Sequence, residues 1–340
     1  AASLIADYYP TDRRGRAFSI QQVMLFTGYG LGVGIGGVVG NTLGWRWAFL
    51  VVALPGLLVA LLAYRLREPA RGAADRLHVG LAPGEDPPTQ TALFGDGLGA
   101  FLRDMARGLH ADLRTIFSIT TMKFALVGVA VLLFVFTAVS TWLSQFYERQ
   151  LGIGAGKAEA LFALLVFVGA IPGILLGGRV ADRYATRIRG ARVALPAYFI
   201  MVGTTLFAVS WVPGIPFAVV WALEAVGLFV MAMAIPGLRA GLSDAVPANL
   251  RGAGFGAFNL VSVVLGSAGA PLAVSALSSA FDDNLRTAFL LVTPLVYIGA
   301  LVLLRARDHL EADAMKILQV VLTAMQDQQA REAGRSAGHG

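Results

Sequence analysis

Residues 7–18 read DYYPTDRRGRAF and residues 244–255 read DAVPANLRGAGF. Asp7, Pro10, Arg14, Gly15 and Phe18 return as Asp244, Pro247, Arg251, Gly252 and Phe255, five identities in twelve positions at unchanged spacing. Each copy is a polar turn leading into a Gly-rich apolar run. Self-similarity over such a distance signals an internal duplication, which has to be read before any single element.

The runs around the repeat set its environment. The 340 residues have a mean hydropathy of +0.69, with 56% hydrophobic and 14% charged residues. A water-soluble domain carries about 25% charged residues, so this composition fits lipid as the solvent. A spanning helix takes about 20 mainly apolar residues. By that measure the chain offers eight spans, at 17–41, 47–64, 122–146, 160–178, 193–212, 215–238, 254–280 and 287–304. Two of them abut at the Pro/Gly turn formed by Trp211, Val212, Pro213, Gly214, Ile215 and Pro216. The 40 glycines suit close helix packing in a bilayer.

Basic residues collect on the cytoplasmic side of membrane proteins. With residues 1–16 placed inside and the spans alternating, the outside loops keep only Arg46, Arg149, Lys157 and Arg286 of the 27 basic residues. Both ends of the chain then lie in the cytoplasm. Both repeat copies fall inside, and the spans that follow them run the same way. That is a parallel duplication about an axis along the membrane normal. The net charge of +6 and the pI near 9.9 follow from this topology and do not call for nucleic acid as a partner.

The expected organisation has four parts. Residues 1–66 complete one set of membrane helices, and 67–116 form a cytoplasmic linker. Residues 117–304 form a six-helix set, and 305–340 a cytoplasmic tail. The linker holds Pro83, Gly84, Glu85, Asp86, Pro87 and Pro88, followed by Leu98, Phe101, Leu102, Met105, Leu109 and Leu113 at the spacing of an amphipathic helix. The tail repeats such a stripe from Leu310 to Met325 and is expected to lose order after Gln329. The copies are 237 residues apart and the second set begins near residue 117. Its twin is therefore expected to begin about 120 residues before Ala1, giving about twelve spans in all.

The segment Gly177-Gly178-Arg179-Val180-Ala181-Asp182-Arg183-Tyr184 resembles the loop motif of the major facilitator superfamily, Gly-x-x-x-Asp-Arg followed by basic residues. The resemblance covers the whole chain. It implies an all-α membrane bundle with helices five to twelve of twelve and the end of the fourth. Residue by residue, Asp182 sits among Arg179, Arg183 and Arg187 at the end of a span, where a carboxylate can pair with Arg and face a helix N-terminus. The resemblance implies that this N-terminus is the fifth helix, near Arg14 to Ala17. Asp182, Arg179, Arg183 and Arg14, with Arg251, Asp7 and Asp244 from the repeat, are the expected conformational latch.

Gly28, Gly32, Gly36 and Gly37 in the fifth helix resemble the superfamily's antiporter motif, with Val33 in place of its Pro; small residues at this spacing let helix backbones approach. Trp45, Arg46, Trp47 and Phe49 read as an interfacial anchor. Leu223-Glu224-Ala225-Val226-Gly227, followed by Asp244, Pro247 and Arg251, is similar to the Spinster-like subgroup, as is Arg67-Glu68-Pro69. Val263 and Ser267 depart from it, standing where that subgroup has His and Asp.

Glu224 lies about ten residues into its span, which places it near the bilayer midplane. An ionised carboxylate is costly there, so it faces water or carries a proton. Glu224, Gln145, Trp142 and Asn259 are the substrate or proton site candidates. The other reading for these polar residues is hydrogen-bonded packing between helices.

The expected function is secondary transport of a small organic solute by alternating access, driven by a proton or ion gradient. Lysolipids, other amphipathic solutes and organic anions are the candidate substrates. The expected setting is a bacterial inner membrane, with the protein a monomer in the bilayer. There is no Cys, the four His are dispersed, and no phosphate-binding Gly-x-x-x-x-Gly-Lys loop occurs, so neither metal nor cofactor is expected. An intramembrane enzyme needs clustered acids or His at one depth, and the spans offer Glu224 alone. A non-transporting receptor or scaffold on a transporter fold is the alternative.

Overall fold

The computed structural model describes residues 5, 8–9, 13–65, 119–185, 187, 190–244, 256, 259–260 and 262–337, which form helices and turns without a strand. The linker and most of the second repeat copy lie outside the described residues. Helix α1 (Arg14–Leu43) turns at Gly44, whose φ of +94° suits a residue without Cβ, into α2 (Trp45–Ala63). Helix α3 covers Thr120–Leu151. Helix α4 (Ala155–Leu165) continues through a π-helical turn (Val166–Ala170) into α5 (Ile171–Ala185). Then come α6 (Ala191–Ser210), α7 (Phe217–Ala232) and α8 (Ala234–Asp244). A second π-helical turn (Ser262–Ser267) precedes α9 (Ala270–Ala280) and α10 (Leu285–Ala337).

Six helical stretches among the described residues are long and apolar enough to cross a membrane: Trp45–Ala63, Thr120–Leu151, Lys157–Ala185, Ala191–Ser210, Phe217–Ser243 and Leu285–His309. Of the other two expected spans, 17–41 lies within α1, and 254–280 is described in part, ending in α9. The Pro/Gly turn between α6 and α7 carries Gly214 at φ +87°. Helix α10 runs on to Ala337 instead of stopping after Gln329. Ala, Arg and Glu make up six of the eight residues from Ala330 to Ala337, and all three are strong helix formers.

Backbone approach at glycine brings the helices together. Gly169, Gly173 and Gly177 form a stripe at a spacing of four on the π turn and α5. A Cβ on Gly169 would stand 2.8 Å from the Ala225 carbonyl oxygen. On Gly173 and Gly177 it would press still closer on the carbonyls of Phe229 and Met233. The far side of α7 meets α6 through Gly227 and Gly203, each closing on the other's carbonyl. Antiparallel α3 and α10 touch at Gly128 and Gly299, where added Cβ atoms would stand 3.0 and 3.1 Å from the opposite carbonyls. Bilayer helices lack a strong hydrophobic drive to associate, so such contact of backbones carries the packing.

The expected packing glycines of α1 behave differently. A Cβ on Gly28 or Gly32 would meet nothing within 4 Å, while Gly30 closes on Phe167. Two residues along a helix turn the side chain by about 200°, so the Gly30 face packs and the Gly28–Gly32 face does not. The surroundings of Gly36 and Gly37 lie outside the described residues. Helix α2 has no buried residue.

Gly173→Ala drives a methyl into the Phe229 carbonyl and is expected to cost about 1–3 kcal/mol, the usual scale of overpacking. Gly28→Ala gains helix propensity and is expected to be neutral or stabilising by up to about 1 kcal/mol. Thermal unfolding in detergent checks the pair. Equal effects at both positions would remove the assigned role of the stripe.

Candidate functional site

The first N–H groups of a helix have no partner inside it. At α1 the N-cap residue is Arg13, which supplies no side-chain cap. The Gly15 N–H donates instead to Asp182 Oδ1 at 2.9 Å, and the Arg16 N–H to Asp182 Oδ2 at 3.0 Å. One carboxylate on α5 therefore caps α1 across 167 residues of sequence. The helix dipole adds to the attraction. The site is closed by absence of side chain: a Cβ on Gly15 would meet Asp182 itself and stand 2.9 Å from the Gly178 carbonyl. A Cβ on Gly178 would stand 2.7 Å from Ser19. Ser19 in turn donates its hydroxyl to Arg16 O at 2.7 Å.

The cation beside Asp182 is Arg192 of α6, with Nη2 at 3.8 Å from Oδ1 and both side chains buried. The expected partners Arg179 and Arg183 do not pair with Asp182. Both are exposed, and Arg179 donates to Leu175 O at 3.4 Å. Arg14 is fully buried and its Nε donates to Tyr9 O at 3.1 Å. Asp244 ends α8, and its side chain lies outside the described residues, as do Asp7 and Arg251. Sequence reading counted Arg192 only as a basic residue of its loop. The glycines at 15 and 178 were visible in the two quoted motifs, but not as one contact.

A second cap of this kind holds α3. Its N-cap is Ile119, without a side-chain cap, and the Thr121 N–H donates to Asp313 Oδ2 at 2.8 Å. Asp313 comes from the long α10, where His309 stacks on Phe124 with planes 5° apart. Sequence reading treated that region as tail and did not find Asp313.

The candidates proposed from sequence do not converge. Glu224 on α7 is fully buried. It accepts from the Tyr147 hydroxyl of α3, and its Oε1 stands 3.3 Å from Ser210 Oγ at the end of α6. Trp142, five residues before Tyr147, faces elsewhere and donates to Pro271 O at 3.1 Å. The Gln145 Oε1 is buried without a hydrogen-bond partner. Asn259 is exposed. Glu224 belongs with Tyr147 and Ser210; the Tyr147 ring packs on Phe146 and Phe217, and Phe289 joins Phe146 to Trp211. Among the described residues no group of three or more acids or His could hold a metal.

A bundle of close-packed apolar helices, one of them capped by a carboxylate from a distant helix, is the architecture of a membrane transporter fold. The chain belongs to the Major Facilitator Superfamily, whose family model matches residues 1–271. It is similar to Protein spinster homolog 1 of Xenopus tropicalis, 29% identical over 197 residues that cover 54% of this chain and 33% of the relative. It is also similar to the probable sphingolipid transporter spinster homolog 1 of Arabidopsis thaliana, 27% identical over 197 residues, with 54% and 38% covered. The matched segments thus span about a third of either relative's length. A structure of the proton:xylose symporter XylE shares the fold, with a TM-score of 0.62 at 16% identity, covering 92% of this chain and 69% of that one.

Asp182→Ala leaves two donors at the start of α1 without an acceptor and is expected to cost about 0.5–2 kcal/mol, as cap removal does. Amide exchange at Gly15 and Arg16 reads it directly. Both amides should lose protection relative to the middle of α1, and unchanged protection would show that another group caps the helix.

Proposed function

We propose that the protein is a secondary transporter working by alternating access, in which residues 1–66 and 117–304 belong to two helix sets that rock about a central path. Residues 67–116 join the sets and 305–340 form the tail. The capping of α1 by Asp182 of α5 is the observation that carries this reading. A carboxylate of one set closes on backbone N–H groups of the other, with no covalent tie and no side chain between. Such a contact makes and breaks as a unit when the two sets tilt. In the membrane orientation given by the basic residues, the clamp closes the cytoplasmic side and favours the outward-facing state. The protein then sits in a bacterial inner membrane as a monomer with both ends of this chain in the cytoplasm.

The naming of the Arabidopsis relative as a probable sphingolipid transporter supports an amphipathic, lipid-like solute. Organic anions are the second class. A proton gradient supplies the drive.

The chain has no Cys, so introduced cysteine pairs carry spin labels without background. In the full-length protein, labels on α1 and α6 should report a shift of about 2- to 30-fold toward the inward-facing state in Asp182→Ala, the range set by a lost cap. An unmoved distance distribution removes the clamp from the mechanism. Flux of a fluorescent lysophospholipid in proteoliposomes tests the transport reading itself. Binding of that probe without flux would favour a scaffold.

A further inference from the structure

Glu224 has no solvent-exposed surface, and its oxygens meet two hydroxyl groups. Tyr147 donates to Oε2. The other oxygen, Oε1, stands 3.3 Å from Ser210 Oγ, but Ser210 Oγ stands 2.7 Å from the Phe207 carbonyl. A hydroxyl has one hydrogen. The shorter contact to a carbonyl takes it, because a carbonyl can only accept. An ionised Glu224 would then turn Oε1 toward a hydroxyl oxygen with no hydrogen to offer. A proton on Oε1 resolves the conflict. Glu224 donates to Ser210, Ser210 donates to Phe207 O, Tyr147 donates to Oε2, and the hydrogen-bonding needs of all three side chains are met.

The surroundings agree with that count. Tyr147 is the titratable group facing Glu224. Charged groups on the neighbouring elements include Glu148 and Arg149 after it on α3, Lys157 and Glu159 on α4, Arg192 on α6, and Arg286 on α10. Arg286 lies over the far ring, Phe146, at 5.8 Å. Among the described residues none of these forms an ion pair with Glu224. A carboxylate without a counter-charge inside an apolar bundle is strongly disfavoured.

We propose that Glu224, Tyr147 and Ser210 form a proton-binding site between α3, α6 and α7, loaded and closed in this conformation. Its link to transport rests on the function proposed above; the site itself rests on the geometry. Release follows when α3 parts from α7 and admits water. The O–H bond at Oε1 breaks and water takes the proton. The carboxylate left behind keeps the Tyr147 donor, and the Ser210 hydroxyl turns from Phe207 O to Oε1. The buried Trp211 indole N–H lies beside Glu224 without a well-formed hydrogen bond in this state, and it is a further donor for the ionised form.

Infrared spectroscopy of the full-length protein in lipid nanodiscs tests the site without any substrate. At neutral pH the wild type should show a carboxylic-acid carbonyl band that Glu224→Gln abolishes. Tyr147→Phe should move that band to higher frequency by removing the donor on Oε2. A folded Glu224→Gln protein with the band at full intensity overturns the proposal. Should that variant not fold, an unshifted band in Tyr147→Phe overturns it instead. A protein that shows the band and its shift yet passes no fluorescent lysophospholipid keeps the proton site and loses the transporter reading.

Discussion

A membrane helix satisfies its own backbone except at its ends, and the ends decide how this bundle is tied. Helices α1 and α3 both begin after residues whose side chains cannot cap, Arg13 and Ile119. In both cases the acceptor is an Asp from a distant helix, 167 residues away for Asp182 and 192 for Asp313. A cap supplied from elsewhere does two jobs: it completes the helix and fixes a tertiary contact. The carboxylate suits both, since it accepts twice, carries the charge favoured by the helix dipole, and still leaves room for Arg192.

Such a cap demands that the backbones come close, which explains where glycine is indispensable. Gly15 and Gly178 admit the Asp182 carboxylate, and the stripe at Gly169, Gly173 and Gly177 lets α5 lie on α7 over two turns. The contacts on α7 are carbonyls of ordinary residues, so only one of the two helices carries the pattern. Gly28 and Gly32 have the same spacing and no neighbour. Spacing permits an approach without specifying one.

This difference marks how far the sequence could be read. The long apolar runs announced the spans because length and hydropathy are local properties. The Pro/Gly turn at 211–216 was equally local. The Asp182 motif pointed to the right helix end because its family pattern carries that information. The cation was misassigned to Arg179 and Arg183, neighbours in sequence, because the loop turns back at Gly190 and brings Arg192 in from the next helix. Glu224 stood out as a lone acid in a span, but its partners depend on the rotation of three helices. Tyr147 and Ser210 lie 77 and 14 residues from it, and no local pattern joins them.

Depth separates the two acidic groups and defines what must connect them. Glu224 lies seven residues past Phe217 in a span of 27 residues, so it sits off-centre toward the Pro216 end. Register along the glycine stripe pairs Gly177 with Met233 and therefore brings Asp182 level with about residue 238. The carboxyls are then roughly 20 Å apart along the bundle, at 1.5 Å per residue. Direct electrostatic influence over that span is weak. What they share is the α5–α7 pair: Asp182 is on one helix, Glu224 on the other, and contacting backbones hold the two in register. Densely packed elements move as a body and do not deform smoothly. In the rocking motion proposed above, a tilt that pulls Asp182 from α1 therefore carries α7 with it.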